Sequence, residues 1–448
     1  MCNQGILDPY FYLANHLGFA NNMFQTNQGP SFPAHQFLLS GTSAPLGYSS
    51  SNPPMCSDGT NSWACYKWFD AENGNLSLTG CIGDQIPQES LAYSIAPLTG
   101  SDSDEAHVYT PGYPVNQFAG FPCYEHATLT DLLDNASPSI SWRYYARSVG
   151  NLWTAPAAIQ HMCLPSGYGG YCTGYDFTGG GNPLPPKVEL PTYKPADNSG
   201  DAAPILTEIQ NCALPTVSWV IPDGNWSDHA GGVWTTEKGD GGPSWVSAIV
   251  NQVAQATNCD TNNAHPGYWY DTVILVTWDD WGGYYDHVVP PDCATSPCTG
   301  YPNGTGFQYV YGFRVPLLVV GAYVNQTGNP GGAYTGYISN QNHDFGSILN
   351  FIEYAFGTGG TPLGGTYGIG GVNYPYADHF APDVKPQGPD LYGLQDFFNF
   401  NQTPLSPPAV PQGLYPPSCF HKPKPGNGTC FDSSEYPIDP DNDANETD

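Results

Sequence analysis

Positively charged side chains are scarce in this sequence. Lys and Arg together number 10 of 448 residues, whereas Asp and Glu number 40, which gives a formal net charge of −30. A field of that sign repels polyanions at long range, so we expect neither a nucleic acid partner nor attraction to an anionic membrane. The same field repels phosphate esters. A phosphate site in this protein therefore needs a local positive charge, most simply a bound metal cation.

Long apolar runs and export signals are also absent. No run is long enough to span a membrane, so we expect no transmembrane segment. The first residues, Met1 to Gly5, have neither the charged nor the apolar region of a signal peptide. Several N-x-S/T triplets favour export, although a chain rich in Asn, Ser and Thr also produces them by chance.

The 13 cysteines do not have the spacing of a zinc site. Closely spaced pairs in Gly- and Pro-rich segments predict disulfides, and hence an extracellular, secreted protein. The cysteine count is odd, and Cys2 is the first candidate for an unpaired thiol. Together with the lack of a signal peptide, this predicts that an N-terminal segment is missing from the chain. The close pairs are Cys56 and Cys65, Cys163 and Cys172, Cys293 and Cys298, and Cys419 and Cys430.

Short apolar runs alternate with amphipathic segments, which predicts an α/β fold with a mostly parallel sheet. Residues 271–278 are apolar on both faces, so we expect a buried strand there. Ser244 is the expected N-cap of the clearest helix. The predicted strands span residues 140–145, 215–221, 271–278 and 316–320, and the predicted helices span 8–18, 244–257 and 347–356.

The composition changes near residue 403. From there the chain is rich in Pro, Gly, Asn and Asp, which predicts a loosely ordered tail. We therefore divide the chain into a main domain, 1–402, and a C-terminal tail, 403–448. The Gly-rich stretch 357–371 is predicted to be a loop, because it lacks the strand and helix context of a P-loop.

Two adjacent carboxylates, Asp279 and Asp280, follow the predicted strand 271–278 within the run WDDWGGYYDH. Carboxyl ends of strands are where open α/β sheets bind ligands. Adjacent carboxylates repel each other, so keeping both ionised in one partly buried place needs a cation. An exposed acidic turn is the alternative interpretation, and these residues alone leave both open.

Ser31 stands between two prolines in the run GPSFP. Such a segment predicts a stiff, bent loop that presents the hydroxyl rather than packing it. A serine nucleophile needs activation by a base or a metal; taken alone, the residues favour an ordinary turn serine. His35 is either its partner or a structural histidine, and we favour the structural interpretation.

Three further histidines are candidates for the site. His229 follows a predicted strand in the run SDHAGG, and His343 precedes a predicted helix. His161 is a weaker candidate of the same kind. A neighbouring Asp can fix the tautomer of a histidine, although a lone histidine more often satisfies a structural hydrogen bond.

The ordered motifs GPSFPAHQ, WVIP followed by SDH, TVILVTWDDWGGYYDHVVPP, GFRVPLLVVGAYV and HDFGSILNFIE resemble the phosphoesterase family of microbial acid phosphatases and phospholipases C. The resemblance extends from about Leu7 to about Phe356. It implies an alkaline-phosphatase-like three-layer sandwich with its active site at the carboxyl ends of a central sheet. The function implied is hydrolysis of a small-molecule phosphate ester or a phospholipid head group through a phosphoserine intermediate.

The resemblance also implies roles for residues. Ser31 would be the nucleophile and a metal ligand, and Asp279 and Asp280 the paired metal ligands. His287 and His229 would contact the phosphate or protonate the leaving group, and His161 would add a further phosphate contact. The cofactor would be a divalent cation, with Mg, Ca or Mn favoured by oxygen ligands.

The chain departs from the family pattern before Ser31. Family members begin with a strand that carries a Glu-Asn-Arg motif, and we find no such strand or motif here. We therefore expect a sheet without its first strand, with exposed strand edges and an incomplete metal site. A catalytically inactive or incomplete family member with a binding or structural role is the alternative.

Overall fold

The computed structural model describes residues 5–26, 31–41, 128–146, 153–159, 162, 188–189, 204–222, 226–228, 241–259, 266–282, 284–290, 311–326, 336–363, 367–369, 372–374 and 393–420. The α-helices in these ranges are α1 (Asp8–His16), α2 (Ser31–Ser40), α3 (Leu129–Asn135), α4 (Pro204–Gln210), α5 (Gly242–Gln255) and α6 (Phe345–Phe356). The strands are β1 (Gly18–Met23), β2 (Trp142–Tyr145), β3 (Val188–Glu189), β4 (Val217–Val220), β5 (Val273–Thr277), β6 (Leu317–Gly321), β7 (Tyr337–His343), β8 (Tyr367–Ile369) and β9 (Val372–Tyr374).

The larger sheet has the strand order β5-β6-β1-β7. Strand β6 is antiparallel to both β5 and β1, and β1 is parallel to β7. Strands β5, β1 and β7 therefore run in one direction, and β6 alone runs against them. The carboxyl ends of the three like-oriented strands meet at one edge of the sheet.

Helices cover both faces of this sheet, and strand β6 shows why. Leu317 and Val319 pack with α2 and α6, whereas Leu318 and Val320 pack with α1 and α5. Successive side chains of a strand point to opposite faces. The fully buried run of β6 thus contributes alternately to two cores, and the result is an α/β/α arrangement.

A second sheet has the order β3-β2-β4, and all its neighbouring strands are parallel. Helix α2 joins its core to that of the larger sheet, since Phe37 packs in one core and Leu39 in the other. The indole N–H of Trp219 on β4 donates to the carbonyl of Leu38 at 3.0 Å. This contact ties α2 to the second sheet.

Four predicted strands and three predicted helices are confirmed within a few residues. The prediction that 271–278 is a buried parallel strand is wrong. Strand β5 is antiparallel to β6, its neighbour among the described residues, and Val273 is 37% exposed. Ser244 lies inside α5 rather than capping it, because Pro243 already fits the first turn of the helix; its Oγ accepts from the N–H of Tyr415 instead.

A strand, β1, precedes Ser31, and it does not carry the Glu-Asn-Arg motif of the family's first strand. Strand β1 has the sequence GFANNM, and its Gly and Asn residues have poor strand propensity. It becomes a central strand because it pairs with β6 on one side and β7 on the other. Pairing and burial override local preference here.

The first part of the predicted tail is packed. Val410 is 5% exposed in the core beside α1 and α5, and Phe420 is 1% exposed against Trp226 and Trp245. The loose order expected from residue 403 is therefore wrong for 403–420, because buried apolar side chains anchor the Pro-rich backbone. The Gly-rich stretch 357–371, which was predicted to be a loop, contains strand β8, and β8 pairs with β9 just after this stretch.

A disulfide joins Cys212, just after α4, to Cys259, just after α5. Of the close pairs expected from the sequence, only Cys419 lies in the described residues, and it is also disulfide-bonded. Cys2 and the other cysteines of those pairs lie outside the described residues. In the described part of the chain, no helix combines the length and apolarity needed to cross a membrane.

Replacing Phe37 by Ala should lower the free energy of unfolding by about 3–5 kcal/mol, because a buried ring would leave a cavity under α2. Phe37 is fully buried, whereas Phe11 on α1 is 60% exposed. Phe11→Ala is the matched control, and its cost should stay below about 1 kcal/mol. Urea unfolding measures both; equal losses would contradict the described position of α2.

Candidate active site

The shared edge of β1, β5 and β7 collects the polar segments that the sequence analysis selected. Ser31 comes after β1, Asp279 and Asp280 come after β5, and His343 ends β7. The three strands run in the same direction, so these segments lie at the same edge of the sheet. This carboxyl-terminal edge is where open α/β sheets bind ligands.

Ser31 is the first residue of α2 and is 2% exposed. Its Oγ donates a hydrogen bond to Oδ2 of Asp280 at 2.7 Å, across 249 positions of sequence. The prediction of a presented side chain on a bent loop is therefore wrong. Pro33 lies in the first helical turn, where its missing N–H costs no helical hydrogen bond.

The backbone after β5 holds the carboxylate of Asp280 in place. The N–H of Gly282 donates to Asp280 Oδ1 at 2.7 Å, so both carboxylate oxygens of Asp280 accept hydrogen bonds. Gly282 has φ +66°, a left-handed conformation that favours glycine. The N–H of Trp281 donates to Oε1 of buried Gln25 at 3.1 Å, which fastens this turn to the end of β1.

His35 lies one helical turn after Ser31 and faces the other carboxylate. Its Nε2 is 3.3 Å from Asp279 Oδ2, and its side chain is 8% exposed, against 30% for Asp279. The structure thus brings together Ser31, Asp279 and Asp280, as predicted, and adds His35. A structural role was predicted for His35 because helix α2 was not predicted. In that helix, positions i and i+4 share a face.

His287 stands apart from this group. Arg314 donates to both carboxylate oxygens of Asp286, at 2.6 and 3.0 Å, and these hydrogen bonds hold the pKa of Asp286 below its ordinary value. His287 Nδ1 is 3.4 Å from Asp286 Oδ1, and its side chain is 83% exposed. No described contact joins His287 to Ser31, and its role at the phosphate stays a prediction.

His229 and His161 lie outside the described residues. Asp228, the neighbour of His229, is described: it accepts a hydrogen bond from Tyr10 Oη at 2.8 Å. The ring of Tyr10 also packs edge-on against Trp278, 5.1 Å between centroids. Through Tyr10, Asp228 is therefore linked to the residue that precedes Asp279.

His343 is fully buried in a separate polar cluster, so the structural interpretation fits it better. Its Nε2 is 2.9 Å from Ser339 Oγ, and the same hydroxyl donates to Asp396 Oδ2. The next residue, Asp344, caps α6 by accepting from the N–H of Ser347 at 3.0 Å, and it accepts from Tyr311 Oη at 2.8 Å.

Residues 5–359 match the model described as the Phosphoesterase family. The chain belongs to the phosphoesterase family.

Curated relatives of this chain carry phospholipase C names. Non-hemolytic phospholipase C of Burkholderia pseudomallei is 26% identical over 391 residues, which are 78% of this chain and 49% of that protein. Phospholipase C B of Mycobacterium tuberculosis is 28% identical over 235 residues, 50% of this chain and 38% of that protein. The chain therefore spans about half the length, or less, of these relatives.

The donor groups around Ser31 fit a hard divalent cation in kind. Two adjacent carboxylates and a hydroxyl supply oxygen ligands, which Mg, Ca and Mn prefer. Within the described ranges, no group of three or more His, Cys, Asp or Glu side chains forms a metal site. Asp279, Asp280 and Ser31 would supply three oxygen-bearing side chains to such a cation.

Sequence reasoning missed the residues that support the site. Gln25 contacts the backbone N–H of Trp281, Arg314 the carboxylate of Asp286 and Tyr10 the carboxylate of Asp228, and these partners lie 256, 28 and 218 positions away along the chain. None of them stands in a motif that indicates its partner. The spacing of four positions between Ser31 and His35 is the one signal in the sequence, and it indicates a shared face only if the segment is helical.

The protein should lose stability between about pH 4 and pH 7 through Asp344. Burial raises the pKa of this carboxyl from its ordinary 3.8 to about 7, against the opposing hydrogen bonds from Tyr311 and Ser347. In that interval the unfolded chain releases the proton and the folded chain keeps it, so stability falls as pH rises and levels off above about pH 7. The contribution is about 4 kcal/mol over the full interval.

Asp344→Asn tests this expectation, because the amide imitates the protonated acid and does not titrate. Urea unfolding at pH values from 4 to 8 should show a flatter profile for the variant than for the wild type. Asp8→Asn, at an exposed position of α1, should keep the wild-type profile. Parallel curves for Asp344→Asn and wild type would contradict the assignment.

Proposed function

We propose that this chain is a metal-dependent hydrolase of phosphate esters that acts through a phosphoserine intermediate, on an alkaline-phosphatase-like framework. The observation that carries the proposal is the contact between Ser31 Oγ and Asp280 Oδ2, 2.7 Å, beside Asp279. A hydroxyl that donates to an oriented carboxylate has the arrangement of an activated nucleophile. Membership of the phosphoesterase family supports the reaction class.

The relatives favour a diester substrate over a soluble monoester. Proteins named phospholipase C from Burkholderia pseudomallei and Mycobacterium tuberculosis match this chain. The proposed substrate is accordingly the head-group phosphate of a phospholipid or a related small phosphodiester. The negative charge of the whole chain, −30, favours zwitterionic over anionic lipids.

The side chains of the site would divide the work as follows. Ser31 Oγ forms a bond to phosphorus while the bond to the leaving alcohol breaks. Asp280 Oδ2 already accepts the hydrogen bond of Ser31, and it receives the proton of the hydroxyl as the attack proceeds. Protonation of the leaving alcohol is assigned to His229 or His287, with His161 as a further phosphate contact. Water then attacks phosphorus and gives a proton to the same histidine, while the bond between phosphorus and Ser31 Oγ breaks and Oγ takes back the proton from Asp280.

A divalent cation would be held by Asp279, Asp280 and Ser31, and it would neutralise phosphate charge and activate the hydroxyl. Adjacent carboxylates in a chain of net charge −30 strongly oppose an approaching phosphate. Burial of Ser31 strengthens this repulsion of phosphate, because charges interact more strongly away from bulk water.

The disulfide between Cys212 and Cys259 supports a secreted protein in an oxidising compartment.

Ser31→Ala should lower kcat by several orders of magnitude on bis(p-nitrophenyl) phosphate and on p-nitrophenyl phosphate, because no other group would form the covalent intermediate. Ser40→Ala is the matched control, since Ser40 is a buried serine of the same helix whose Oγ has no hydrogen-bond partner among the described residues. The control should keep wild-type activity. Retained activity in Ser31→Ala would refute the nucleophile, and a wild type inactive on both substrates would favour the binding or structural role.

Metal removal should abolish activity and lower the melting temperature, because a ligand of the folded state stabilises it. Asp280→Asn should remove most of the rise in melting temperature produced by added Mg, Ca or Mn. Asp8→Asn removes the same charge from an exposed position and should respond as the wild type does. Melting curves with chelator and with each cation measure this; unchanged curves would overturn the metal site.

A further inference from the structure

Two pairs of contacts join α2 to the turn after β5. Ser31 and His35 are four positions apart in α2, so their side chains lie on one face of the helix, one turn apart. Their partners, Asp280 and Asp279, are neighbours in sequence. Ser31 Oγ is 2.7 Å from Asp280 Oδ2, and His35 Nε2 is 3.3 Å from Asp279 Oδ2.

We infer that His35 is a positioning residue that holds the carboxylate of Asp279 in the orientation required by the phosphoesterase site. This inference rests on the proposed function. His35 Nε2 lies 3.3 Å from Asp279 Oδ2, so as a donor it would favour one rotamer of a side chain that is still 30% exposed. Loss of this donor would weaken the preference for that rotamer.

The surroundings of His35 make it a rigid support. Its side chain is 8% exposed, and the next residue, Gln36, donates from Nε2 to the carbonyl of Ala155 at 3.0 Å. Trp219 binds the carbonyl of Leu38. These contacts hold α2 against β4 and the segment at Ala155, which restricts movement of the imidazole.

A purely structural role explains His35 less well. A buried imidazole in a core normally satisfies both ring nitrogens. His35 Nδ1 is buried and has no hydrogen-bond partner among the described residues, and the polar contact that the structure records for the ring is the one to Asp279. We therefore attribute the burial of His35 to its contact with the carboxylate of Asp279.

The test compares His35→Ala and His35→Gln in the intact protein, with His16→Ala and His16→Gln as controls. His16 lies in α1, and its ring contacts the backbone carbonyl of Tyr12. The amide N–H of Gln can replace the Nε2–H of His, so His35→Gln should keep most of the activity. His35→Ala should lower kcat on bis(p-nitrophenyl) phosphate, and the affinity for added Mn measured by calorimetry, by about 10- to 100-fold. KM should change little, and neither His16 variant should differ from the wild type.

Equal losses in His35→Gln and His35→Ala would overturn the inference, as would wild-type values in His35→Ala. A double-mutant cycle with His35→Ala and Asp279→Asn, measured by urea unfolding without metal, separates the inference from the proposed function. A coupling of unfolding free energies shows the contact even if the wild type hydrolyses no phosphate ester. In that case the proposed function fails while the contact stands; a coupling of zero overturns the inference whatever the activity.

Discussion

Strand β6 sets the geometry on which the site depends. Its antiparallel pairing with β1 and β5 makes these two strands run in the same direction, and the parallel pairing of β1 with β7 adds the third. Their carboxyl ends therefore meet at one edge. Because β6 is buried on both faces, the helices on either side fix its position, and through it the distance between α2 and the turn after β5.

Charge is the second constraint on the site. A chain with a net charge of −30 places two neighbouring carboxylates beside a buried hydroxyl, and each carboxylate has a donor opposite it. Ser31 and the backbone of Gly282 donate to Asp280, and His35 faces Asp279. Local donors thus stabilise a concentration of negative charge that the surrounding field opposes, and the proposed cation would stabilise it further.

Some elements of the fold could be predicted because their pattern is local. The apolar run of β6 and the helical spacing of α5 and α6 identify these elements within a few residues. Strand β1 and helix α2 could not be predicted in the same way, because GFANNM has poor strand propensity and Ser31 to Pro33 read as a loop. Their structures follow from neighbours that lie some 300 residues away along the chain, such as Val319 beside Gly18.

The features of the candidate site also divide into those that the local sequence predicts and those that only the folded chain decides. Neighbouring residues already specify that two acids stand together, that glycines follow them and that a serine stands between two prolines, and the resemblance to the family implies roles for them. Only the folded chain decides that Ser31 meets Asp280, that His35 meets Asp279 and that Arg314 meets Asp286. The reason is physical: residue type and spacing act over a few positions, whereas contacts between distant residues depend on strand order and on burial summed over the whole core.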